Sequence, residues 1–189
     1  MATVSIVGTG TMGSAIAGLA AKAGSEVQLL AHAERDTPIT GDVVVLAVPY
    51  PAVAEVIAER GDELVGKVVV DITNPVSAPF EKLDVPSDSS AAAEIASALP
   101  RSRVVKAFNT TYAGHLTSGV TGDQPTTVLV AGDDADAKAR VTELVTGGGL
   151  RAVDAGGLDR ARELEALCFL QLTLAAREQL PWTGGFAVV

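Results

Sequence analysis

The residues best suited to chemistry come first in the chain, in Gly8-Thr9-Gly10-Thr11-Met12-Gly13, directly after the apolar run Val4-Ser5-Ile6-Val7. Their spacing is Gly-x-Gly-x-x-Gly. Set between a buried strand and a helix read over residues 14–22, this is the turn that cradles the pyrophosphate of a dinucleotide. Gly8 permits the tight turn, Gly10 lets the backbone approach an anion, and Gly13 lets the helix pack close. The N–H groups of residues 9–13 then face that anion at the positive end of the helix dipole.

Other chemistries lack their residues. With His32 and His115 the only histidines and Cys168 the only cysteine, neither a histidine-rich nor a cysteine-based metal site can be built, nor an internal disulfide framework. There is no Gly-x-Ser-x-Gly elbow, no His-Glu-x-x-His, and no lysine after the glycines as in nucleotide-hydrolase loops. Hydride transfer remains. It asks the protein to hold two rings face to face and to keep water out. For carbonyl reduction a proton donor is also required, and Tyr50, Tyr112 and His115 offer one.

Composition narrows the partners. With 14 basic and 23 acidic residues the net charge is −9, against a surface for nucleic acid or anionic membrane, which needs clustered Lys and Arg. The longest apolar runs, such as residues 43–48, are too short to cross a bilayer, and no basic leader precedes the glycine turn. A single cysteine fits a reducing compartment, so a cytoplasmic protein is expected.

The elements that must position the turn follow a βαβ rhythm. Strands are read over residues 26–31, 42–47, 67–71, 103–108, 126–131 and 150–154, with helices over 52–60, 91–99 and 135–145 and a long one over 159–179. Residues 36–41 leave no room for a helix before the third strand, so that link is extended, and the first strand becomes a switch point. The expected fold is α/β, a doubly wound, mainly parallel, Rossmann-like sheet in a single domain of residues 1–189. Helix and tail 158–189 are expected to close the substrate crevice. The tip of the second strand, Ala31-His32-Ala33-Glu34-Arg35, is ambiguous: an acid there grips ribose hydroxyls, a base a 2′-phosphate. Asn74 ends a parallel strand, where turn formers and ligand contacts both occur. Residues 109–115 form a polar loop where a substrate should lie. Cys168 belongs to the apolar face of the last helix with Leu164, Leu167 and Leu172.

Several stretches together carry a family resemblance: the glycine turn, residues 43–49, Val105-Lys106-Ala107-Phe108-Asn109-Thr110, Val130-Ala131-Gly132-Asp133-Asp134 and residues 153–165. Over nearly its whole length the chain resembles the deazaflavin-dependent NADP oxidoreductases, and more distantly the cytoplasmic domain of six-transmembrane metalloreductases. The resemblance implies NADP on the glycine turn and coenzyme F-420, or a flavin, stacked on the nicotinamide as second substrate. By position, Thr9 and the backbone of Gly10, Thr11 and Met12 would hold pyrophosphate, and Val48-Pro49 would pack near the ribose. Asn109, Thr110 and Thr111 would border the second ring, and Arg162 would meet its polar end unless it pairs with Asp159 or Glu165. The family's Ser-Arg at the second strand falls on Ala31-His32, leaving His32 or Arg35 for the 2′-phosphate. Its hydroxyl residues on the last helix fall on Ala166 and Cys168. The implied activity is NADP(H)-dependent hydride transfer to or from a flat acceptor, in a homodimer. A reductase of flavin or small carbonyl or imine, and a non-catalytic NADP(H) sensor, are the alternatives.

Overall fold

The computed structural model describes residues 3–77 and 80–189, so part of the excursion over residues 76–90 lies outside the described residues. Valine-rich segments build its central sheet because branched side chains suit a pleated surface buried on both faces. The chain enters as β1 (Thr3–Val7), passes through the glycines into α1 (Thr11–Lys22) and returns as β2 (Glu26–Leu30). A single 3-10 turn, His32–Glu34, is all that precedes β3 (Val43–Leu46), so the link is extended as its length requires. Next come α2 (Tyr50–Arg60), with Pro51 in its first turn, β4 (Val68–Asp71), α3 (Ala91–Ala98) and β5 (Arg103–Lys106). Ser90 caps α3, its hydroxyl accepting the Ala93 N–H at 3.1 Å.

The polar loop after β5 is shorter than its sequence suggests. It winds into α4 (Ala113–Ser118), closed by left-handed Gly119, and a small hairpin of β6 (Val120–Thr121) and β7 (Gln124–Pro125) follows. After these come β8 (Thr127–Gly132), α5 (Ala135–Gly147) capped by Asp134, and β9 (Arg151–Gly156). Last is α6 (Ala161–Ala176), entered through a 3-10 turn at Leu158–Arg160.

Seven strands form one sheet in the order β2-β1-β3-β4-β5-β8-β9. The first five are parallel, with β1 at the switch point. β8 is antiparallel to β5, and β9 runs parallel to β8. The reversal has a simple cause. No crossover helix spans the sheet between β5 and β8, and a short helix plus hairpin bring the chain back in the opposite sense. Alternation divides the core: Val43 and Val45 face α1 and α5, whereas Val44 and Leu46 face α2 and α3.

Candidate functional site

Four adjacent strands end together. In the register Val7 stands opposite Leu46, Leu46 opposite Asp71 and Asp71 opposite Lys106, so the residues just beyond them form one row along the carboxyl edge. That row is Gly8–Gly13, Val48-Pro49, Thr73-Asn74 and Asn109-Thr110. The site residues read from sequence are thus brought together, except for His32 and Arg35 at the tip of β2 and Arg162 on α6.

The three glycines do different work. Gly8 has φ +114°, and a Cβ there would fall 2.2 Å from the Ala47 carbonyl oxygen. At Gly13 the same atom would meet the Gly8 carbonyl oxygen at 2.1 Å, so both are required by the fold itself. A Cβ added at Gly10 would meet nothing within 4 Å. Gly10 is also the N-cap of α1, with no side chain capping the helix and no acid in its first turn. Uncapped N–H groups, an open glycine and a helix N-terminus fit a pyrophosphate. Met12 packs its side chain against the core, so only its backbone is offered, whereas Thr9 and Thr11 are exposed.

The floor of the row is a reciprocal asparagine pair. Asn74 Nδ2 donates to the Asn109 carbonyl oxygen, and Asn109 Nδ2 donates to Asn74 Oδ1 and to the Leu164 carbonyl oxygen on α6, each at 3.0 Å. Phe108, just before, holds a left-handed φ of 64° while fully buried, which aims Asn109 at β4. The buried Thr73 Oγ1 and Asn109 Oδ1 have no hydrogen-bond partner among the described residues.

Beneath the pair lies a feature missed in the sequence. Lys106 is fully buried and its Nζ donates to Asp71 Oδ2 (2.8 Å), the Thr73 carbonyl oxygen (2.6 Å) and Glu165 Oε1 (2.8 Å). Glu165 in turn accepts the Ala91 N–H at 3.0 Å, at the start of α3. One ammonium therefore ties the ends of β4 and β5 to α6 and α3. The signal was present: a lysine and an aspartate at buried positions of valine-rich strands, and a glutamate among the apolar residues of α6.

Arg162 meets neither Asp159 nor Glu165. Asp159 pairs with Arg160, and Arg162 Nη1 donates to the carbonyl oxygens of Pro86 (3.3 Å) and Ser89 (3.2 Å), binding the excursion before α3 to α6. Tyr50 donates to Glu94 on α3, and desolvation together with that bond pushes its phenol far above the ordinary value of 10.0. Thr110 and Thr111 border a small cavity covered by the C-terminal tail, with Leu129 and Gln171 also lining it. The tail is held by three bonds: Gln171 Nε2 to the Gly184 carbonyl (3.1 Å), His115 Nε2 to Thr183 (2.9 Å) and Arg151 to Val188 (3.3 Å).

Comparison with known proteins identifies this architecture. A family model described as NADP oxidoreductase, coenzyme F420-dependent, matches residues 29–75, and one for the NAD binding domain of 3-hydroxyacyl-CoA dehydrogenase matches residues 3–40. An F420-dependent NADP reductase of Methanocaldococcus jannaschii is 32% identical over 166 residues, covering 85% of this chain and 74% of that one. The chain belongs to the F420-dependent NADP reductase family. A solved structure from Arthrobacter sp. FB24, described as a candidate F420-dependent NADP reductase, superposes on this family member with a TM-score of 0.86. It is 25% identical, with all of both chains covered. Metalloreductase STEAP3 of Rattus norvegicus is 40% identical over 106 residues, but these are 56% of this chain and only 21% of that protein. Among the described residues of this family member, no helix is long and apolar enough to cross a membrane, and no cluster of metal-ligating side chains occurs.

Proposed function

We propose that the chain is an NADP(H)-dependent oxidoreductase that exchanges hydride between nicotinamide and a flat acceptor such as the deazaflavin coenzyme F-420. The observation that carries this is the row of strand ends with an open Gly10 and an uncapped α1 N-terminus at one end and the Asn74–Asn109 pair at the other. Bound NADP(H) supplies the hydride. The chain's own residues bind, orient and exclude water. Backbone N–H groups of residues 9–13 hold pyrophosphate, and Val48-Pro49 packs near the ribose. Asn74 and Asn109 fix the floor under the reacting rings, and Thr110 and Thr111 border the acceptor. Arg162 serves this site by anchoring the loop before α3 rather than by touching the acceptor.

Residues 1–189 act as one domain, with residues 158–189 closing the crevice. A homodimer in a reducing cytoplasm completes the proposal. Of the three candidate proton donors, Tyr50 and His115 are engaged with Glu94 and Thr183, which favours donor-free hydride exchange and leaves carbonyl or imine reduction to depend on Tyr112. The test is a fluorescence titration with NADPH and NADH, followed by transfer assays to F-420 and FMN. Saturable NADPH binding with turnover of either acceptor is expected. Tight binding without turnover of any acceptor would instead make the chain a sensor.

A further inference from the structure

The tip of β2 carries the two charged residues that choose between cofactors, and both are engaged by the protein. Glu34 turns back to accept the Ala31 N–H at 2.8 Å, closing the 3-10 turn. Its carboxylate is therefore held by the backbone rather than by a ribose. Arg35 reaches across to α2, where Nη2 bonds Glu55 at 2.8 Å and Nη1 bonds Glu59. Its Nε donates to the His32 carbonyl oxygen at 3.3 Å, and Nη2 lies 3.1 Å from His32 Nδ1. Every guanidinium nitrogen thus has a partner. Glu55 and Glu59 stand one turn apart on the same face of α2, so two like charges share one cation, and Arg35 with its two carboxylates sums to −1.

A 2′-phosphate brings about two negative charges to this cluster. It competes with both carboxylates for Arg35, and both stay nearby whether or not either bond is broken. NADH, without that phosphate, meets no such opposition. We propose that Glu55 and Glu59 are specificity-determining residues that attenuate the grip of Arg35 on a 2′-phosphate and so set the NADPH-to-NADH ratio. This rests on the dinucleotide reading above. The geometry suits adjustment rather than strength: Arg35 is 38% exposed, Glu55 53% and Glu59 38%, so the pairs hold the side chain in place while adding little to stability.

The experiment measures Kd for NADPH and for NADH by nucleotide fluorescence in four proteins. These are the wild type, Glu55→Gln/Glu59→Gln, the same double variant with Arg35→Gln, and Glu26→Gln/Glu143→Gln as a control of equal charge change elsewhere. Circular dichroism verifies that each is folded. The Glu55→Gln/Glu59→Gln protein should bind NADPH about five- to tenfold tighter than wild type at low salt, with NADH changed by less than about twofold. Adding Arg35→Gln should erase the gain, salt near 1 M should shrink it, and the control should leave both constants in place. An unchanged or weaker NADPH constant in the Glu55→Gln/Glu59→Gln protein, an equal shift for both nucleotides, or the same gain in the control overturns the inference. If wild type binds neither nucleotide, the functional reading itself fails, and the inference with it.

Discussion

Lys106 and Glu165 meet across the core, Nζ to Oε1 at 2.8 Å, with neither side chain exposed at all. Asp71 completes the group at 2.8 Å from the same Nζ, so two buried carboxylates depend on one ammonium. Removing one partner of such a buried group is costly because the others stay behind uncompensated. Lys106→Met is expected to lower the unfolding free energy by about 3–5 kcal/mol at pH 8, read from urea midpoints. The loss should be smaller at pH 5, where one carboxylate can take up a proton. An equal loss at both values would mean that packing, not charge, is what Lys106 supplies.

Glu165 itself gives a pH signature. Burial pushes its carboxyl above the ordinary glutamate value of 4.5, with Lys106 pulling the other way. A folded-state pKa above the unfolded one makes the associated stability fully present below 4.5 and lost as pH rises through the folded value. Glu165→Gln removes that loss. The difference in unfolding free energy between variant and wild type should therefore move in favour of the variant as pH is raised from 4.5 toward 8. Glu63, held below its ordinary value chiefly by its bond to Arg60, has the opposite slope, with stability lost as pH falls. It is present in both proteins and cancels in the difference. Parallel stability profiles would refute the assignment.

What the sequence could reveal was what is local. The glycine turn, the valine strands and the extended link before β3 follow from residues adjacent in the chain. The direction of β8 was not legible because it depends on how residues 109–126 fold back, and α4 hides in a stretch containing Gly114 and Thr117 with no apolar rhythm. The Lys106 group joins positions 71, 106 and 165, and Arg35 finds its partners on α2. Such pairings exist only once the chain has folded. Arg162 taught the same lesson, since its partners are backbone carbonyls, which carry no residue-type signal.

Cys168, one turn beyond Glu165 on the same face of α6, is buried, and desolvation raises its thiol to about 11. Since the thiolate is the reactive form, alkylation by iodoacetamide at pH 8 should run about two orders of magnitude slower than for a free thiol, before any slowing by burial. Addition of urea should restore the ordinary rate. Fast labelling of the native protein would show instead that α6 opens readily from the core.

The glycine turn offers a substitution that separates folding from binding. Gly8→Ala would place a Cβ 2.2 Å from the Ala47 carbonyl oxygen, and Gly13→Ala would place one 2.1 Å from that of Gly8, so lost binding in either could be lost structure. Gly10→Ala has no such ambiguity. The residue sits at φ −68°, ψ −176°, open to alanine, with nothing within 4 Å of the added methyl. Alanine is a somewhat poorer N-cap than glycine but restricts the unfolded chain, and the two effects keep the net stability change within about 1 kcal/mol. The methyl does, however, occupy the approach to the uncapped N–H groups of α1. NADPH binding should weaken by about tenfold or more while the thermal midpoint stays nearly unchanged, a loss of about 1.4 kcal/mol or more in binding alone. Unaltered affinity in a folded Gly10→Ala protein would place the pyrophosphate somewhere other than the turn.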